Sequence, residues 1–117
     1  MFGTKEIDAE GLTALIENGE KLKIIDVRSH SEYIQGTIKG SEFMPLHTVP
    51  LHLNELPKEG DGTTLVFICS SGNRSAQACA YVKQQTGLES YNLAGGLMRW
   101  YRSGFPLVRP DLNVAQV

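Results

Sequence analysis

Leu65-Val66-Phe67-Ile68 is an unbroken apolar run, followed directly by the polar bend Cys69-Ser70-Ser71-Gly72-Asn73-Arg74-Ser75. Such a run between turn-forming residues reads as a fully buried strand. Beyond the bend, Ala76 to Gln85 carries a helical pattern, so the chain passes from a buried strand through a tight loop into a helix. A thiol therefore sits where a strand ends and a helix begins. Backbone N–H groups at such a place lack partners and the helix dipole favours negative charge. The position stabilises a thiolate and holds an anion beside it.

The same alternation recurs along the chain. Asp8 is placed to cap a first helix whose stripe is Leu12, Leu15 and Ile16, with Ile7 packed on Leu12 as a staple and Asn18-Gly19 as the stop. Lys23 to Val27 is a strand. Ser29-His30-Ser31-Glu32 has capping-box spacing and opens a short helix to about Gln35. Glu42 to Leu46 is a short strand, and Thr48 is expected to cap a helix carrying Val49, Leu53 and Leu56. After the helix Ser75–Gln85 come a strand, Glu89 to Leu93, and a last helix opened by Gly95-Gly96, with Leu97, Trp100 and Tyr101 expected in the core. Strands alternating with helices predict an α/β domain with a mainly parallel sheet. Ligands of such sheets bind beyond the carboxyl ends of the strands, where Arg28, Leu46, His47 and the Cys69 loop all fall.

Composition narrows the function classes. At 117 residues the chain is read as one domain, 41% hydrophobic and 21% charged, with net charge −2. No global basic field recruits nucleic acid, so any anion site is local. No apolar stretch approaches the ~20 residues of a membrane span. Met1 to Glu6 lacks the basic and apolar regions of a signal peptide, which favours a cytoplasmic location. Cys69 and Cys79 are the only cysteines. Cys79 falls about ten residues along the helix after Cys69, roughly 15 Å away at 1.5 Å per residue, too far for a disulfide. It shares the core-facing stripe Ser75, Ala78, Cys79, Val82 and reads as a packed, inert thiol. The sequence has no metal-binding motif such as CxxC or HExxH, and no metal or cofactor is expected.

Four patches resemble a known family, the single-domain rhodaneses. They are Ile25-Asp26-Val27-Arg28 with Glu32-Tyr33 and Gly36 to Ser41; Phe43-Met44-Pro45-Leu46; Cys69 to Arg74; and Leu93-Ala94-Gly95-Gly96 with Trp100 and Gly104-Phe105-Pro106. They cover most of a core from 5 to 107 and leave a tail, 108–117. The resemblance implies a three-layer domain with a central, mainly parallel sheet of about five strands. It also implies a sulfurtransferase in which Cys69 takes up sulfane sulfur as a persulfide and passes it to a thiophilic acceptor. Ser70, Ser71, Gly72, Asn73 and Arg74 would bind the donor, and Asp26 and Ser75 would support the loop. Arg28 stands evenly between substrate contact and a surface ion pair. The implied partners are a small anionic sulfur donor and a sulfur-relay protein.

The chain departs from the family at two places. Thr37 stands where the family usually has His, a position that is mostly architectural. Ser70 and Ser71 are neutral where members that work best on thiosulfate often carry basic residues, so a persulfide or polysulfide is as fitting a donor.

Within the loop, an arginine in a helix's first turn opposes the dipole, so Arg74 is expected to have an anionic partner, either substrate or a carboxylate such as Asp26 or Glu32. Of His30, His47 and His52, only His47 falls toward the site. It reads as a rim residue, since a loop of amides needs no general base. Two other functions compete with sulfur transfer. A cysteine-dependent phosphatase or arsenate reductase would have one more residue between Cys and Arg than the four, Ser70 to Asn73, present here. A sulfur-carrier or docking module with little turnover would still use Cys69.

Overall fold

A computed structural model of the chain describes residues 4–110. Strands β1 (Lys5–Ile7), β2 (Leu22–Asp26), β3 (Glu42–Phe43), β4 (Thr64–Ile68) and β5 (Tyr91–Leu93) alternate with helices α1 (Ala9–Glu17), α2 (His30–Tyr33), α3 (Asn73–Thr86) and α4 (Gly96–Arg102). A 3-10 segment, Leu46–Glu55, broken at His52, lies between β3 and β4. The strands form one sheet in the order β1-β5-β4-β2-β3, and every neighbouring pair is parallel. The expected α/β architecture is present.

The pleat of β4 sorts its side chains into two cores. Leu65, Phe67 and Cys69 pack with Ile25, Val49, Leu56, Ala78, Cys79 and Val82, beneath α3 and the 3-10 segment. Val66 and Ile68 pack with Ala9, Leu12, Ile24, Leu93, Leu97 and Trp100, beneath α1 and α4. Helices thus cover both faces, which gives the three layers and explains why β4 has no polar alternation. Cys69 lies one step beyond the strand, yet it continues the alternation of Leu65 and Phe67 and is 0% exposed.

Local signals held where a side chain satisfies the backbone. Asp8 accepts a hydrogen bond from the Gly11 N–H at 2.7 Å, and Ser29 and Glu32 form the full capping box. Elsewhere the elements differ from expectation. β1 escaped detection because Lys5 and Glu6 are exposed on an edge strand and leave no apolar pattern. The strand expected over 42–46 stops at Phe43, since Pro45 has no N–H for the ladder. Thr48 caps nothing: it lies inside the 3-10 segment, where its N–H and hydroxyl both donate to the Pro45 carbonyl. α3 begins two residues earlier than expected, at Asn73, inside the polar bend. Tyr101, expected in the core, is 68% exposed, because α4 buries only Gly96, Leu97 and Trp100. Among the described residues no helix is long and apolar enough to cross a membrane. Of the expected tail, Val108 pairs with Thr37 in an antiparallel bridge, and 111–117 lie outside the described residues.

Candidate active site

Between β4 and α3 the chain must reverse direction within a few residues, and Gly72, at φ +103°, makes the bend and opens α3. The loop curls around the Cys69 sulfur. The Gly72 N–H donates to Sγ at 3.1 Å and the Ser75 N–H at 3.3 Å, and the Ser75 hydroxyl lies 3.2 Å from Sγ. The carbonyls turn the other way. Cys69 O accepts from the Leu97 N–H at 2.8 Å and Ser70 O from the Met98 N–H at 3.0 Å, both at the start of α4. Gly72 O accepts from the Ala76 N–H at 3.2 Å and the Asn92 amide at 3.1 Å. With its carbonyls tied back, the loop presents N–H groups inward. Those of Ser70, Ser71, Asn73 and Arg74 make no hydrogen bond among the described residues. This is an anion-binding nest with a sulfur at its base.

A second ring of residues fixes the loop. Asn92 donates through Nδ2 to Glu6 Oε2 at 2.9 Å as well as to Gly72 O, which aims its Oδ1 at the Ser75 hydroxyl, and that hydroxyl donates to it. On the other side Arg74 forms a two-pronged pair with Glu32, at 2.8 and 2.9 Å, and the Ser70 hydroxyl donates to the same carboxylate at 3.0 Å. Of the partners left open for Arg74, substrate, Asp26 or Glu32, the structure pairs it with Glu32. Gly96 lies under the loop at φ +62°. A Cβ there would stand 2.3 Å from Ser70 O and 2.7 Å from Cys69 O.

This geometry sits in a chain whose residues 8–103 match the rhodanese-like domain. The chain belongs to the rhodanese-like family. A sulfurtransferase of Allochromatium vinosum is 40% identical over 106 residues, covering 91% of this chain and 96% of that protein. The thiosulfate sulfurtransferase GlpE of Pseudomonas paraeruginosa is 33% identical and covers 87% of each chain. The crystal structure of a rhodanese-related protein from Thermoplasma volcanium superposes with a TM-score of 0.78 at 30% identity, covering 89% of this chain and 97% of its own.

Within the rhodanese-like frame, Arg28 takes the ion-pair side of its even reading, buried rather than at the surface. Its guanidinium donates to both oxygens of Asp26, at 2.8 to 3.2 Å, and to Gly36 O, and only 7% of the residue is exposed. Its strand-end position is as expected, and the buried Asp26 and Gly36 O take up its guanidinium. Asp26 also accepts from the Thr37 hydroxyl at 2.8 Å. It therefore supports β2 and the 37–41 turn, and makes no hydrogen bond to the loop among the described residues. His47 is exposed at the start of the 3-10 segment. Glu6 and Asn92 went unmarked in the sequence, and Gly96 was read only as a helix opener and part of a family-like patch, not as the seat of the loop. Asn92 had one signal, a lone amide inside the buried strand Tyr91–Leu93, because a buried polar side chain needs a partner.

Two groups near the loop titrate unusually. The Arg74 guanidinium holds the Glu32 carboxyl well below its ordinary 4.5, and Glu32 raises Arg74 in return. A depressed carboxyl adds stability that is fully present above 4.5 and is lost as pH falls toward the folded-state value. Both side chains are about one-third exposed, at 37% and 34%, so the contribution is roughly 1 kcal/mol. Glu32→Gln should lower the urea midpoint at pH 7, and its gap from the wild type should narrow as pH drops below 4.5. A gap independent of pH would refute the ion-pair origin.

Cys79 is different: burial pushes its thiol up to about 11. It stays protonated near neutrality and 4% exposed. Cys79→Ser should leave turnover within about twofold, as expected for a packed thiol that makes no hydrogen bond to the Cys69 sulfur. In folded protein at pH 7, iodoacetamide should not label Cys79, as read by peptide mass mapping.

Proposed function

We propose that the chain is a sulfurtransferase of the thiosulfate sulfurtransferase type, working through a persulfide on Cys69. The observation that carries the reading is the nest itself, with two N–H groups aimed at Sγ and the loop carbonyls drawn out of it onto α4 and Asn92. In the first half-reaction the Cys69 thiolate attacks the sulfane sulfur of the donor. With thiosulfate, the bond between the two sulfurs breaks and sulfite leaves with the electron pair. The product is Cys69–S–S⁻, whose outer sulfur takes the place for which the free N–H groups of Ser70, Ser71, Asn73 and Arg74 are oriented. An acceptor then attacks that outer sulfur, and the pair returns to Sγ. Cyanide would leave as thiocyanate. This is double displacement, with ping-pong kinetics.

The donor's charge is met by amides. Arg74 is committed to Glu32 and Arg28 to Asp26, and Ser70 and Ser71 are neutral. A persulfide or polysulfide of low charge suits such a site better than the thiosulfate dianion. Two free thiols and a persulfide intermediate suit the reducing cytoplasm.

The spacing disfavours phosphoryl transfer. Four residues between Cys69 and Arg74 make a smaller ring of amides, and the arginine is already gripped at both ends by a carboxylate. Intact-mass measurement after exposure to thiosulfate, cysteine persulfide and inorganic polysulfide tests the reading. The expected result is a gain of one sulfur, mapped to Cys69, with the persulfide and polysulfide loading faster. Absence of any sulfur adduct with all three donors would overturn it.

A further inference from the structure

We propose that the outer face of α4 is a docking surface for a thiol-bearing protein partner, acidic around its thiol, that receives sulfur from Cys69. This rests on the sulfur-transfer reading and names its acceptor class. The placement comes first. The Leu97 and Met98 N–H groups hold Cys69 O and Ser70 O, so the start of α4 packs directly against the loop that carries the nest. Cys69 itself is 0% exposed. An acceptor must therefore insert its sulfur into the nest while the rest of it rests on the rim.

The rim there is unlike an ordinary solvated helix face. α4 buries Leu97 and Trp100 at 4% and 3% exposure, while Met98 and Tyr101 stand out at 54% and 68%. Spaced three apart, those two are neighbours on one outer face. Arg99 and Arg102, also spaced three apart, flank them, and neither enters an ion pair among the described residues. A helix dipole favours cations at the C-terminal end, which accounts for Arg102. Arg99 also falls in the last turn of this short helix, and its side chain leans back along the axis, as helical side chains do. A Cβ built on Gly95 would stand 2.7 Å from Arg99 Nε and 2.8 Å from its Cδ, so this side chain runs back over the N-terminal glycine, toward the loop. That is the end where the dipole disfavours a cation.

Arginine, methionine and tyrosine together are the residue types enriched in protein interfaces. A small anion would answer the arginines but would have no use for the apolar pair. An acidic protein surface with an apolar spot answers both, and its charge is opposite to this rim although the chain as a whole is at −2. The transfer is redox-neutral. The partner's thiolate attacks the outer sulfur of Cys69–S–S⁻, a new S–S bond forms on the partner, and the Sγ–S bond breaks with its electrons returning to Sγ. The partner's proton is released to solvent.

The test uses two synthetic acceptor peptides, each with one cysteine beside a leucine, flanked either by glutamates or by lysines, and protein preloaded with sulfur. The acidic peptide should be the better acceptor by about tenfold in kcat/KM, the scale of a few complementary charges. The Arg99→Glu/Arg102→Glu variant should reverse that order, and Tyr101→Ser should slow transfer to both peptides, each leaving turnover to cyanide unchanged. Equal rates with both peptides, or a preference that survives the charge reversal, would overturn the proposal. So would a charge-reversal loss as large with thiosulfate and cyanide as with the acidic peptide, since the arginines would then serve a small anion. Binding of fluorescent peptides to Cys69→Ser protein should show the same charge preference. That arm tests docking even if no sulfur moves, and a failure to load sulfur at all would count against the transfer reading alone.

Discussion

Cys69→Ser protein should produce no thiocyanate from thiosulfate and cyanide, a fall of at least about a thousandfold, the scale on which loss of a covalent nucleophile acts. It should also gain no mass with any sulfur donor. The fold should survive. Serine fits the space, and the Gly72 and Ser75 N–H groups that now face Sγ would face a hydroxyl oxygen instead. A urea transition close to that of the wild type, together with absent turnover, separates lost chemistry from lost structure. Turnover retained in this variant would remove Cys69 from the reaction and the persulfide with it.

Gly96→Ala is expected to be the most damaging single methyl addition near the site. Three backbone atoms would crowd the new Cβ, Ser70 O at 2.3 Å, Ser70 C at 2.5 Å and Cys69 O at 2.7 Å, and none is the end of a flexible side chain. The residue also sits at φ +62°, a left-handed conformation that costs a non-glycine residue about 1–2 kcal/mol. Pushing the loop off α4 would strain or break two hydrogen bonds, those from Leu97 and Met98, at roughly 1 kcal/mol each. A loss of about 3–4 kcal/mol in urea unfolding follows. Turnover should fall steeply even where the variant folds, because the carbonyls would no longer be held out of the nest. Gly95→Ala is the control. A Cβ there would crowd Arg99 Cβ at 2.7 Å, within α4, but no atom of the loop, so at φ +76° it should strain the helix start and spare turnover more than Gly96→Ala does. Equal losses of turnover per folded protein at the two glycines would contradict the account of Gly96 as the seat of the loop.

Much of this site was legible in the sequence because its signals are local. The apolar run Leu65–Ile68, the glycine bend and the helical pattern after it place the thiol without any long-range information. The capping box at Ser29–Glu32 was equally plain, since both partners lie within four residues. The braces were legible only in part. Glu6 meets Asn92 across 86 residues of chain with no local pattern to announce it. For Arg74, 42 residues from Glu32, the first-turn position called for an anion but did not choose between substrate, Asp26 and Glu32. Arg28 shows the same limit. Its strand-end position was read correctly, but only the fold reveals that the buried Asp26 two residues away captures it. Tyr101 failed for a different reason: helical spacing alone cannot tell how wide a stripe so short a helix buries, and only Leu97 and Trp100 face the core.

The seating of the loop on α4 also sets an order of assembly. Cys69 and the N–H groups around it lie in the middle of the chain, but the amides that hold the loop carbonyls belong to Leu97 and Met98, and the Asn92 brace closes on Glu6 near the other end. On the ribosome the cysteine emerges well before the residues that complete its nest. Until they dock, it is an ordinary thiol at the end of an unfinished sheet. The cradle of amides belongs to the finished fold, and a nascent chain carries none of it.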